Sequence, residues 1–115
     1  MSAVSTYAEA LFEAALEREE LEETLESLKE FVDALHESEE LSEFFYGAQI
    51  GESQKRRAID ALTEDMSTSM RNFLKVLIDN GRVEILEDTV QRYEDLVDEH
   101  QGRVEVQLTT AVELS

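Results

Sequence analysis

Residues 70–82 read Met70-Arg71-Asn72-Phe73-Leu74-Lys75-Val76-Leu77-Ile78-Asp79-Asn80-Gly81-Arg82, and this stretch decides the fold. Met70, Phe73, Leu74, Leu77 and Ile78 recur at spacings of three and four, the period of a helix. They cover a wide arc of it, so the helix is predicted to be central. Asn80-Gly81 stops it, with Gly81 suited to the left-handed position just past a helix end. A central helix of this kind needs amphipathic helices around it, and the flanking sequence supplies them.

Upstream, Thr63–Thr68 form a polar break, before which Ala58, Ile59 and Leu62 mark a fourth helix with Ser53 as its expected N-cap. Leu41, Phe44 and Phe45 suggest a short third helix ending near Gly47. Leu21, Leu25, Leu28, Val32 and Leu35 form a second; the seam covers barely two heptads, which favours packing in a bundle over a free coiled coil. The first helix is expected from Ser5 to Arg18, with Leu11, Phe12, Ala15 and Leu16 as its core face and the charged run Glu17–Glu20 as a bend. Downstream, Leu86, Val90, Tyr93 and Val97 carry a sixth helix ending at Gly102. Beyond it the period becomes two: Val104, Val106, Leu108, Thr110 and Val112 alternate with polar residues, which predicts a half-buried strand. A single strand has no partner in this chain, so it either pairs between copies or begins a domain that has been left out. The second is the expectation. The predicted architecture is all-α: a six-helix bundle over residues 1–102, then 103–115 as an extended segment opening a truncated α/β domain.

Composition narrows the function. The 115 residues carry 28 acidic and 10 basic side chains, a net charge of −18, with no cysteine and no proline. A field of that sign opposes nucleic acid and anionic lipid surfaces, because both are bound through Lys and Arg. Residues 1–43 hold 14 of the acids, with only Arg18 and Lys29 as cations; this describes either a solvated outer face, as in a salt-adapted protein, or a docking face for basic partners. Without cysteine there is no disulfide scaffold, thiol nucleophile or thiolate metal site. No apolar run approaches the length of a membrane span, so direct membrane insertion is not expected.

The remaining chemistry fails test by test. Carboxylate-bridged di-iron bundles need two Glu-x-x-His pairs. Asp33-x-x-His36 is the one near match, and nothing similar precedes His100. Both histidines are predicted to be exposed at helix C-termini, where the dipole favours a cation. Asp79-Asn80-Gly81 lacks the spacing of a calcium loop. No glycine-rich phosphate cradle and no nucleophile elbow occurs, and Lys55-Arg56-Arg57 reads as a solvated basic face. No catalytic residue, metal site or cofactor is expected.

Two stripes point instead to binding. On the first helix Ala3, Tyr7, Ala10 and Ala14 form a smooth strip of small side chains with one aromatic. On the fifth, Asn72, Val76 and Asn80 stand one turn apart. If the two helices are neighbours, these stripes flank a groove for an amphipathic helix of a partner. Otherwise both pack against other helices of the same bundle.

Tyr7-Ala8-Glu9-Ala10-Leu11-Phe12, the stretch Asn72–Arg82 and the ending Thr109-Thr110-Ala111-Val112-Glu113-Leu114-Ser115 together resemble the delta subunit family of bacterial F-type ATP synthase, whose mitochondrial counterpart is the oligomycin-sensitivity-conferring protein. The resemblance covers the whole chain in order. It implies a six-helix N-terminal domain and a following C-terminal domain whose first strand is residues 103–115. It also implies a non-catalytic stator component for ATP synthesis and hydrogen ion transport, at the cytoplasmic face of the inner membrane and peripheral to it. The implied partners are the alpha-subunit N-terminal helices of the catalytic head and, through the C-terminal domain, the b subunits of the peripheral stalk. The alpha-binding groove of the family maps onto Tyr7, Ala10, Ala14, Asn72, Val76 and Asn80, the stripes already found from periodicity. Ser5 and Thr6 stand where family members often carry arginine, so contacts from that position are not carried over. Two other classes compete: a generic helical adaptor using the same groove, and a metal-dependent carboxylate enzyme.

Overall fold

The computed structural model describes the backbone of residues 2–114 and the side chains of residues 2–102. Among these, α1 spans Ala3–Glu17, α2 Leu21–Glu37, α3 Glu39–Tyr46, α4 Glu52–Leu62, α5 Thr68–Asp79 and α6 Leu86–Leu114. A 3-10 turn, Val83–Ile85, leads into α6. There is no strand among the described residues.

Helix ends follow local chemistry. Ser2, Ser38 and Ser67 cap α1, α3 and α5, each side-chain oxygen accepting from the backbone N–H three residues on. The cap of α4 is Gly51 and not the expected Ser53: its N–H donates to Gln54 Oε1 at 3.3 Å, closing the turn from the other direction. At the C-terminus of α5, Gly81 takes φ 65°, its N–H donating to Ile78 O and that of Arg82 to Leu77 O. This paired pattern satisfies two carbonyls the helix leaves open, as Asn80-Gly81 predicts. The same pattern ends α1, where the left-handed residue is Glu19 at φ 58°. With no glycine there, the sequence signals a bend but not this geometry.

Met70, Leu74 and Leu77 of α5 are fully buried, and Phe73 and Ile78 nearly so. Around them pack Leu11 and Ala15 of α1, Leu28, Phe31 and Leu35 of α2, Phe45 of α3, Ile59 of α4, and Leu86, Val90, Tyr93 and Val97 of α6. The α2 seam is therefore a core face of the bundle. Two expected core residues are not in it: Leu16 is 42% exposed and Phe12 half-buried, and the inward stripe of α1 is Ala8, Leu11 and Ala15. Leu62, in the last turn of α4, is likewise exposed.

The largest departure lies at the C-terminal end. Gly102 does not end α6, which continues to Leu114 as helix where alternation predicts an extended strand. A helix satisfies its own backbone groups, whereas a strand needs a neighbour to do so, and none of the described residues offers one. The half-burial expected for Val104–Val112 lies outside the described residues. One consequence concerns His100, which sits within α6 rather than at its end and meets Phe12 edge-on, ring centroids 5.7 Å apart. His36, in the last turn of α2, is exposed as expected and bonds Glu87 Oε1 at 2.7 Å.

Candidate functional site

The turn between α1 and α2 positions α5. Glu20, the N-cap of α2, places Oε1 where it accepts from the Ser69 N–H at 3.2 Å and the Ser69 hydroxyl at 2.8 Å. It thereby caps, from another part of the chain, N–H groups that the first turn of α5 cannot satisfy internally. Burial alone raises the Glu20 pKa, but the bonds from Ser69, then Thr68, and the nearby Arg18 charge outweigh it and hold the carboxyl below its usual range. One turn into α2, the buried hydroxyls of Thr24 and Ser67 lie 2.8 Å apart. At the opposite end Asn80 Nδ2 donates to Tyr7 Oη at 2.7 Å. Helices α1 and α5 thus run antiparallel side by side, tied by polar bonds at both ends.

Between the ties lies a trough of about 160 Å³ lined by Tyr7, Ala10, Leu11, Ala14 and Arg18 from one helix and Ser69, Asn72, Phe73 and Val76 from the other. Its floor is apolar, since Leu11 and Phe73 are buried at 4% and 6% exposure. Its walls are open: Ala10 and Asn72 are exposed, Tyr7 and Ala14 half-buried, and Val76 is 44% exposed. The structure therefore brings together all six residues expected at the groove, with Asn80 at its end, bonded to Tyr7, rather than in its lining. Four lining residues were not anticipated as groove residues. Leu11 and Phe73 read as core from their periodicity, and they are both core and floor. Arg18 and Ser69 carry no periodic signal; they enter only because the α1–α2 turn folds onto the start of α5.

The shape excludes some occupants. A trough of this volume falls below the roughly 300–1,000 Å³ of small-molecule pockets. It suits two or three apolar side chains lowered into it from a helix lying along the surface, with small Ala10 and Ala14 allowing close approach.

A larger recess, about 480 Å³, lies among α2, α3 and α6, lined by Leu35, His36, Tyr46, Glu87 and further acids. The Tyr46 hydroxyl donates to Glu87 Oε2 at 3.4 Å, and burial, then the Glu87 charge, push its pKa up to about 12. Leu35 is the one aliphatic residue of this recess, and most of the rest of its lining is carboxylate. Among the described residues no group of three or more His, Asp or Glu is arranged to hold a metal ion. The basic cluster divides: Arg56 pairs with Asp79, Arg57 is exposed, and the Lys55 side chain is buried, which lowers its pKa. No helix among the described residues is long and apolar enough to cross a membrane.

Comparison with known proteins agrees with this architecture. The family model described as ATP synthase delta (OSCP) subunit matches residues 3–115. The chain is 65% identical over its full length to the ATP synthase subunit delta of Rubrobacter xylanophilus, covering 64% of that protein. It is 33% identical over 108 residues to the ATP synthase subunit delta of Natranaerobius thermophilus, covering 94% of this chain and 60% of that one. The mitochondrial ATP synthase subunit 5 of Yarrowia lipolytica is 29% identical over 111 residues, 95% of this chain and 52% of the relative. The chain thus spans less than two thirds of the length of these relatives. With a family match over nearly all of its residues and an all-helical fold, the chain belongs to the ATP synthase delta (OSCP) subunit family.

Proposed function

We propose that the chain is a non-catalytic stator component of an F-type ATP synthase, and that it holds the catalytic head by clasping the N-terminal helix of an alpha subunit in the α1–α5 groove. The carrying observation is the apolar, water-facing trough with Val76 44% exposed on its wall. An aliphatic side chain left in water at a concave, small-residue surface marks a contact a partner completes. Rotation of a central shaft puts torque on the head, and a stator must resist it. The polar ties at both groove ends, Asn80 to Tyr7 and Glu20 to Ser69, suit that task because they fix the spacing of the two walls before the partner arrives.

Linkage to the b subunits of the stalk belongs, by family resemblance, to the C-terminal portion of longer members, which these 115 residues do not span. In this reading the protein sits at the cytoplasmic face of the membrane, peripherally and through its partners. Residues 103–115 act as the passage toward that portion. Calorimetric titration of the domain with a synthetic peptide of the alpha-subunit N-terminal helix tests the proposal. Saturable one-to-one binding is expected; no binding at a hundredfold excess of peptide refutes it and leaves the generic adaptor reading.

A further inference from the structure

Arg18 is the one charged side chain in the lining of the groove. It is exposed, and its Nη1 donates to Ser69 Oγ at 3.3 Å, which fixes the guanidinium at the end where α5 begins. The other N–H groups have no partner among the described residues, and no carboxylate there forms an ion pair with it. Glu17 and Glu19 flank it in the chain and form no ion pair with it, and Glu20, the acid whose pKa its charge lowers, is turned onto the Ser69 N–H and hydroxyl. The guanidinium is therefore held in place with most of its donors open toward whatever fills the groove.

The rest of the lining is uncharged, and the far end, eleven residues away at Tyr7, offers only the phenol bonded to Asn80. At about 1.5 Å per residue the two ends lie about 16 Å apart, three helical turns. Beside the α1 wall, the exposed acids Glu9 and Glu13 flank the stretch from Tyr7 to Ala14 with no cation near them in the lining, whereas Glu17 stands next to Arg18. A visiting helix with a carboxylate midway, or at the Tyr7 end, meets that negative flank. One with a carboxylate at the Arg18 end meets an open guanidinium.

We propose that Arg18 is the specificity-determining residue of the groove, selecting an amphipathic helix that carries a glutamate or aspartate at one end of a three-turn apolar stripe and so setting its register and direction. This rests on the groove being the alpha-helix site. Specificity of this kind joins an attraction at one point to repulsion elsewhere.

The test uses three versions of an alpha-subunit N-terminal helix peptide with its own acids replaced by glutamine and asparagine. One has no carboxylate, and two carry a single glutamate, at one or the other end of the apolar stripe. Each is titrated against the natural chain, Arg18→Gln and Arg57→Gln. Arg57 is exposed on α4, so its replacement removes the same charge away from the groove. On the natural chain one end-glutamate binds about threefold to fivefold more tightly than the neutral peptide, the range of a solvent-edge ion pair, and the other gains nothing. Arg18→Gln abolishes the difference, and Arg57→Gln retains it. A preference that survives Arg18→Gln, or no preference in the natural chain, overturns the assignment while binding itself upholds the groove. If none of the three peptides binds the natural chain, both fall together.

Discussion

Replacing Val76 by aspartate separates the groove from the fold. In the free domain Val76 is 44% exposed, so its carboxylate would reach water and the bundle would lose only part of a side chain's burial. Full burial of a valine stabilises by about 1.5–3 kcal/mol; the part already buried is about half, and the part a partner can still cover is worth about 1 kcal/mol. Domain stability should therefore fall by about 1 kcal/mol, with a small addition from an acid in the C-terminal half of a helix. Binding suffers far more. The partner would forfeit the valine contact, about 1 kcal/mol, and would enclose an unpaired carboxylate against Leu11 and Phe73, costing a further ~3 kcal/mol. A total near 4 kcal/mol corresponds to about a thousandfold in Kd. Val76→Ala, which removes the contact without adding charge, should cost only about fivefold. Calorimetry with the alpha N-terminal peptide, paired with a urea melt of each variant, reads both quantities. An aspartate variant that binds within threefold of the natural chain refutes the groove as the site. A variant that unfolds would show that Val76 belongs to the core.

Leu77→Ala empties a fully buried position of α5 and should destabilise by about 2–5 kcal/mol, read as a lower urea midpoint at unchanged slope. Tyr93→Phe removes the hydroxyl that donates to Leu21 O at 2.8 Å; leaving that carbonyl unpaired should cost about 1–2 kcal/mol, measured the same way. Glu20 sets a pH dependence: its folded pKa lies below the ordinary 4.5, so its stabilisation is complete above that value and is lost as pH falls through the depressed one. Thermal melts from pH 6 to pH 3 should decline less steeply for Glu20→Gln than for the natural chain, and equal slopes would remove Glu20 from the account.

How much of this could be read from sequence depends on the range of the interaction. The core face of α5, its Asn80-Gly81 stop and the groove stripes of Tyr7, Ala10, Ala14, Asn72 and Val76 are periodic or local, and the pattern shows them. Arg18, Ser69 and Glu20 meet across about fifty residues of chain, through a left-handed turn at Glu19 that no glycine announces, so nothing in the local pattern signals them. The same holds for His36, Tyr46 and Glu87, three elements joined in one recess. Leu16 and Leu62 carry the helical period yet lie exposed, each in the last turn of its helix. At residues 104–112 the alternating pattern competes with the backbone's need for partners, and the helix, which needs none, prevails.

The most direct test of the central claim is a residue-resolved titration: amide chemical shifts of the isotope-labelled domain followed as alpha N-terminal peptide is added. The account predicts that the largest changes fall on Tyr7, Ala10, Ala14, Ser69, Asn72 and Val76, along both walls of one groove. Changes centred on the carboxylate-lined recess of α2, α3 and α6, or spread without focus, would contradict it.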